Sequence, residues 1–404
     1  MEKWSKVKLG EIAFITSSKR IFAREYQKEG IPFYRGKEII EKHNGNSVST
    51  ELYISKKRYD EIKSKYGVPV PGDILLSSVG TLGVPWLVDE EKFYFKDGNL
   101  TWLRCNEKCI PKFLYLWFNS AEAKNQIEVM CIGSTQKALT IDALNKFNVS
   151  LPPLEVQKKI CNVIYSIMDK IRTNDEINRN LSELLNLMYK NDYLDEVVNH
   201  KDWIEVTMDD ITSKFATGLN PRKNFVLGHG ENYYVTIKNM NNNRVYLDSK
   251  CDMVDDDALV KINKRSDLQV GDLLFSGIGT IGRVHLIDEP PTNWNISESI
   301  FTMRPSKVVT SEFLYLLLLS YDMQDYALSL ASGSVQKGIR MADLKRYKLY
   351  LPSKEDMDRL TFTWKPLIDQ IKKFERENDE LAILRDTLLR KLMSGELDVS
   401  NLNI

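Results

Sequence analysis

The sequence predicts an α+β chain in which two tandem mixed α/β domains alternate with two long helices, and the helices pair as a coiled coil. Three observations predict it. Several phrases recur in one order at an offset near 200 residues. Strand-like stretches broken by turn signals precede each long helix. Each long helix carries an uninterrupted 4-3 spacing of seam residues.

The duplication comes first because it organises everything else. GDILLSSVGTLG at 72–83 returns as GDLLFSGIGTIG at 271–282, and FLYL at 113–116 as FLYL at 313–316. Gly133-Ser134-Thr135-Gln136-Lys137 returns as Gly333-Ser334-Val335-Gln336-Lys337, Leu151-Pro152 as Leu351-Pro352, Arg104 as Arg304, and VKLGEI at 7–12 as VTMDDI at 206–211. A period this long means two domain pairs, not the short repeats of a solenoid.

GIGTIG is a G-x-G-x-x-G, the pattern of many dinucleotide loops, but its first glycine fails to recur: Ser78 stands opposite Gly277. A dinucleotide site also needs a helix starting at the loop. The following stretches, PWLVD and RVHLID, alternate like strands. The phrase therefore predicts strand, tight turn, strand, with glycines supplying positive φ. Beyond it, residues 111–130 and 311–330 each read as one helix whose leucine and aromatic stripes are core.

After Leu-Pro, each half turns helical, with Ser353 and Asp356 resembling an N-cap pair. The first seam runs Ile160, Ile164, Ile167, Ile171, Asn174, Asn178, Leu181, Leu185, Met188, and the second Leu360, Trp364, Leu367, Ile371, Phe374, Asn378, Leu381, Arg385, Leu388. Asn178 and Asn378 hold equivalent positions, where a seam Asn sets register at a cost in stability. An amphipathic helix lying on a globular core is the alternative. A helix of about 36 residues spans roughly 50 Å, about 15 base pairs of duplex DNA.

Composition excludes several classes. The chain has 404 residues, 43% hydrophobic and 28% charged, with 56 basic and 56 acidic side chains. Zero net charge argues against a nonspecific nucleic-acid coat. No apolar run approaches the roughly 20 residues of a membrane span, and MEKWSKVKLGEIAFI lacks a signal-peptide core. Five cysteines without a C-x-x-C fit reduced thiols of a cytoplasmic protein better than a zinc site. The four histidines are scattered, and no nucleophile elbow or phosphate loop is present. Asp73 with Glu90-Glu91-Lys92 imitates a D…E-x-K nuclease set, but the second copy reads Asp272 with Asp288-Glu289-Pro290-Pro291 and has no lysine. We find no catalytic constellation.

Taken together, the tandem repeat, the G-D-[IL]-L-x-S-x-x-G-T-x-G phrase, G-S-x-Q-K, the Leu-Pro before each helix and the tail LLRKLMSGELDV (388–399) resemble the specificity subunit of type I restriction–modification systems. The resemblance covers essentially the whole chain. It implies target-recognition domains at 1–152 and 200–352, helical spacers at 153–199 and 353–404, and antiparallel pairing of the spacers. It further implies a non-catalytic chain in the cytoplasm whose two domains each read half of a bipartite double-stranded DNA target. The spacers would set the gap and dock two DNA-methyltransferase (modification) subunits, joined by restriction (endonuclease/translocase) subunits. S-adenosylmethionine, ATP and Mg²⁺ would then belong to those partners, with no cofactor or metal in this chain. A coiled-coil scaffold without DNA binding remains the alternative.

Arg and Lys suit guanine or phosphate, Asn and Gln suit adenine. The candidate readers are Lys19, Arg20, Arg24, Arg35, Lys37, Gln136 and Lys137 in the first half, and Arg222, Lys223, Lys238, Asn239, Asn241, Gln336, Lys337 and Arg340 in the second. The run Asn241-Asn242-Asn243 equally fits a solvated turn.

Overall fold

The structure, a computed structural model, describes residues 4–131, 138–332 and 337–399. The chain divides into two compact units, Met1–Arg172 with Asn378–Ile404, and Thr173–Glu377.

In the first unit a four-stranded antiparallel sheet is built from β1 (Ala13–Thr16), β2 (Ile74–Ser77), β3 (Pro85–Leu87) and β4 (Leu100–Cys105), in the order β1-β4-β2-β3. Its register pairs Thr16 with Trp102 and Ser77 with Leu100. One face is covered by α1 (Pro111–Asn119) and α2 (Ala121–Cys131), so Leu76, Leu103, Phe113, Leu116 and Trp117 share one core. A smaller sheet contains the parallel pair Phe33↔Tyr94.

The second unit repeats the plan with β5 (Thr212–Thr217), β6 (Leu273–Ser276), β7 (Val284–Leu286) and β8 (Ile300–Pro305), in the order β5-β8-β6-β7. Helices α4 (Ser311–Leu319) and α5 (Tyr321–Ser329) lie against it.

The helix expected over 111–130 is in fact two, and so is its partner over 311–330. Ser120 and Ser320 leave the helical region, with ψ of 162° and 149°. Each hydroxyl then accepts the amide three residues on, Ala123 or Met323, at 3.4 Å. A serine that satisfies a helix N-terminus competes with continuing the preceding helix.

The repeated phrase is a turn, as its spacing predicts. Gly80, Gly83, Gly279 and Gly282 all have positive φ, from 74° to 93°. The serine common to both copies closes the turn: Ser77 Oγ donates to Thr81 O and accepts Val84 N, and Ser276 Oγ does the same with Thr280 O and Arg283 N. The Ser78/Gly277 mismatch has a packing reason. Ser78 Oγ lies 2.6 Å from Thr101 Oγ1, whereas in the second unit Phe301 occupies the matching site and a Cβ on Gly277 would come within 2.4 Å of its ring. Gly277→Ser should cost about 1–3 kcal/mol through overpacking. Adding Phe301→Thr, which recreates the first unit's pair, should recover part of that loss in urea unfolding. Equal stability of the single and double variants would contradict this.

The long helices are α3 (Leu154–Tyr189) and α6 (Lys354–Met393). Ser353 Oγ accepts Asp356 N at 3.2 Å and donates to its carboxylate at 2.8 Å, the cap the sequence suggests. In the first unit the start of α3 packs with the end of α6, placing Ile160 and Ile164 in one core with Leu392 and Met393. Asn378 there donates to Ile171 O. In the second unit the end of α3 packs with the start of α6, with Leu185 and Tyr189 against Leu360, Trp364 and Ile368, and Asn178 donates to Ile371 O. Both pairings are antiparallel. Ile164, Ile371 and Asn378 are buried, and Ile167, Ile171, Asn178, Leu181, Leu367, Phe374 and Leu381 are half-buried.

A second stripe of α6, absent from the 4-3 count, is also buried. Lys372 is 3% exposed and pairs with Glu375 at 3.2 Å, which in turn faces Arg244 at 3.5 Å. Arg376 pairs with Asp288. His285 sits near this group with Nδ1 buried and unpartnered. Burial, then the charges of Lys372 and Arg244, hold its pKa well below the ordinary 6.5, while burial raises that of Glu375. A lowered imidazole pKa means the unfolded chain takes up the proton first. This contribution is therefore present above pH 6.5 and lost below it, by up to about 1.4 kcal/mol per pH unit. Glu375 acts in the opposite direction. His285→Gln should thus narrow its stability gap to the parent between pH 7.5 and pH 5.5, read from urea midpoints at both pH values. A gap that does not change with pH would contradict a neutral buried His285.

Candidate nucleic-acid interface

In each unit three chain segments meet at one end of the four-stranded sheet. In the first, β1 runs out into Ser17–Arg24, β2 into the 78–84 turn, and β4 enters from Gly98-Asn99. Ser17 Oγ donates to Leu100 O at 3.5 Å and Ser78 N to Asn99 O at 2.8 Å, so the segments are tied together. Ala138 bridges Val79, and Leu139 N donates to Ser78 O at 3.0 Å. Ala138 and Leu139, the residues that follow the G-S-x-Q-K phrase, are thereby anchored on the turn.

In the second unit β5 runs out through Gly218, where a Cβ would come within 1.6 Å of Ile296 O, into the Pro221-Arg222-Lys223 turn. Gly277 N donates to Ser299 O, Gly279 N to Lys337 O and Ile339 N to Gly277 O, at 2.7–2.9 Å. In the second unit the glycine turn and the segment Lys337–Ile339 are therefore mutually supporting backbone. That is a structural reason for this pairing in the second unit, independent of any side-chain reader.

Lys19 and Arg20 stand exposed on the first unit's loop, Arg20 donating to Asp97 at 2.8 Å while 70% of its side chain stays exposed. Arg222, Lys223, Lys337 and Arg340 are exposed at the matching end of the second unit. Gln136, Lys137 and Gln336 lie outside the described residues.

The remaining candidates sit elsewhere. Arg24 is exposed on a short turn, its guanidinium 5.6 Å from the Phe22 ring centroid. Arg35 is held by Glu38, a fully buried carboxylate 2.8 Å away. Lys37 makes an i,i+4 pair with Glu41 at 3.7 Å. Lys238 and Asn241 are exposed beside a small hairpin. Asn242 and Asn243 form its two-residue turn, with φ of 47° and 56° as a type I′ turn requires.

Asn239 must be withdrawn as a reader. It is 3% exposed, and its side-chain oxygen accepts Thr236 N at 2.9 Å and Thr236 Oγ1 at 3.0 Å. An amide that caps its own turn has no edge to offer a base. Sequence reasoning missed Arg283, which follows the GTIG turn and donates to Ile237 O at 2.9 Å and to Met240 O. It ties the Lys238 segment to the sheet. Its position, directly after a repeated phrase where the first copy has Val84, was the available signal.

The D…E-x-K imitation dissolves in the structure. Asp73 accepts Arg104 Nε and Nη2 at 2.9 and 2.8 Å, Trp102 Nε1 at 2.8 Å and Val70 N at 3.0 Å. Glu91 accepts Tyr34 Oη at 2.6 Å and pairs with Lys42, and with burial it pushes the Tyr34 phenol up. His200, Asp202 and Asp356 bring ligand-type atoms within 4.8 Å of one another. Asp356, however, is already engaged by Trp203 Nε1, Ser353 and Arg359.

Among known proteins, a type I restriction enzyme specificity subunit named S.HindORF215P, from Haemophilus influenzae, is 33% identical over 169 residues. That match covers 41% of this chain and 40% of the relative's own length. The MjaVIII specificity subunit of Methanocaldococcus jannaschii is 21% identical across 100% of this chain and 95% of its own. The crystal structure of a type I restriction–modification S subunit from M. genitalium shares the fold, with a TM-score of 0.57 at 16% identity over 97% of this chain and 96% of that one. The family model described as the type I restriction modification DNA specificity domain matches twice, at residues 1–186 and 200–380, one match for each half of the internal repeat, and the chain belongs to that family.

Proposed function

We propose that this chain is the DNA sequence-specificity subunit of a type I restriction–modification complex. Each recognition domain reads one half of a bipartite duplex target, and the paired helices set the spacing and dock two methyltransferase subunits. The chain is itself non-catalytic and works in the cytoplasm. S-adenosylmethionine serves the methyltransferase subunits, ATP and Mg²⁺ the restriction subunits.

The observation that supports this best is the equivalence of the two loop clusters. Each gathers basic side chains, Lys19 and Arg20 in one and Arg222, Lys223, Lys337 and Arg340 in the other, at the same end of the same sheet. Zero net charge is compatible with this, because a balanced total still allows basic side chains to gather on particular loops.

Replacing Arg222 and Lys223 by Ala, in the chain purified with its methyltransferase partner, tests the division of labour. Loss of a base-reading Arg costs about 1–3 kcal/mol at one base pair, and loss of a phosphate contact weakens all sequences alike. We expect discrimination to relax in one half-motif only. Equal relaxation of both halves would contradict separate readers.

A further inference from the structure

We propose that a cleft beside the Ser17–Arg24 loop of the first unit is a subsite for a single unstacked DNA base. The inference rests on the DNA-reading function proposed above and adds to it a specific subsite. The cleft holds about 290 Å³, and Phe14, Lys19, Tyr66, Tyr94, Trp102 and Arg104 are among its lining residues. This is close to the lower end of the roughly 300–1,000 Å³ common for small-molecule sites, enough for one planar ring system.

The lining has the chemistry of a π ligand attached to an anion. Phe14 is 69% exposed and Tyr66 57%, large rings left in water with no gain to the fold. Lys19 Nζ lies 4.7 Å from the Tyr66 ring centroid, and the Arg104 guanidinium 5.0 Å from that of Trp102. Arg104 is neutralised and held in place by Asp73. Lys19 has no carboxylate partner among the described residues, and it is the cation left over for a phosphate. Its backbone N–H donates to Tyr94 Oη at 2.7 Å, which seats the loop on the cleft wall. A base stacked within a duplex cannot enter such a site. A base that has lost its pair enters at the least cost, and aromatic rings with a nearby cation are what bind it.

The second unit supplies the comparison. At the positions of Phe14, Tyr66 and Trp102 it has Lys214, Ser266 and Thr302. Lys214 pairs with Asp267 at 3.3 Å, Ser266 is buried and bonded to Asn295 at 2.7 Å, and Arg304 reaches Asp267 as well as Asp272. The same sheet therefore forms without this trio of rings. Trp102 is part of the first unit's core, but the exposed rings of Phe14 and Tyr66 belong to what that unit binds and not to how it folds.

The test uses the chain with its methyltransferase partner and the duplex that the complex selects, with 2-aminopurine placed at each position of the first half-motif in turn. One position should brighten on binding. Tyr66→Ala and Phe14→Ala should abolish that signal and weaken binding roughly 5- to 150-fold, the effect of removing one stacking ring. Tyr66→Phe, which keeps the ring, should retain both. A parent complex that binds its duplex with no responsive position overturns the subsite, and so do alanine variants that bind as tightly as the parent. A complex that selects no duplex at all overturns the specificity function, and this subsite with it.

Discussion

Trp364→Ala should remove about 3–5 kcal/mol of stability from the second unit, the range for deleting a fully buried aromatic side chain. Trp364 is 0% exposed and lies 5.8 Å from Tyr189 and 6.4 Å from Phe313, ring centroid to centroid. It thus joins the start of α6 both to the end of α3 and to the helix that covers the sheet. Its indole N–H also points to Asp192 at 3.4 Å. The first unit has Ile164 at the matching position, also 0% exposed, where Ile→Val should cost only about 0.5–1.5 kcal/mol. Urea unfolding of the two variants measures the contrast. A loss below 1 kcal/mol for Trp364→Ala would mean that the seam and the sheet do not share one core.

Asp272→Ala should have the next largest effect. The Asp272 side chain is 1% exposed and takes Arg304 Nε and Nη2 at 2.7 and 2.9 Å, with Gln269 N at 2.9 Å. Removing it leaves a guanidinium without its main partner. Breaking a buried pair costs about 3–5 kcal/mol, and the partial exposure of Arg304 places this case near 3. Asp272→Leu with Arg304→Met removes both charges and should be milder than Asp272→Ala alone. If the double variant is the less stable, the cost lies in lost packing and not in an unpaired charge.

Much of this architecture is legible in the sequence because duplication supplies an internal comparison. A glycine motif that keeps Gly80 and Gly83 but exchanges Ser78 for Gly277 reads as a turn, since a turn needs only positive φ where a nucleotide loop needs every glycine. The 4-3 seam is legible because its period persists over nine positions. Features set by partners far apart in sequence are not. Lys372 and Glu375 read as solvated charges on an outer helical face, because their neighbours Arg244 and His285 come from a hairpin and a strand about 90–130 residues away. Asn239 resembles a reader by residue type, but its own turn consumes the amide. Ser120 and Ser320 sit inside unbroken apolar periodicity, and only their capping geometry divides the helix. The cleft beside Lys19 depends on Tyr66 and Trp102 converging from separate elements, which no local pattern reports.

The central claim is two readers held at one spacing, and the most direct measurement is a selection from random duplex DNA by the chain purified with its methyltransferase partner. The account predicts two short motifs separated by one constant gap. An intact complex that enriches no sequence would contradict it and leave the coiled-coil scaffold as the better reading.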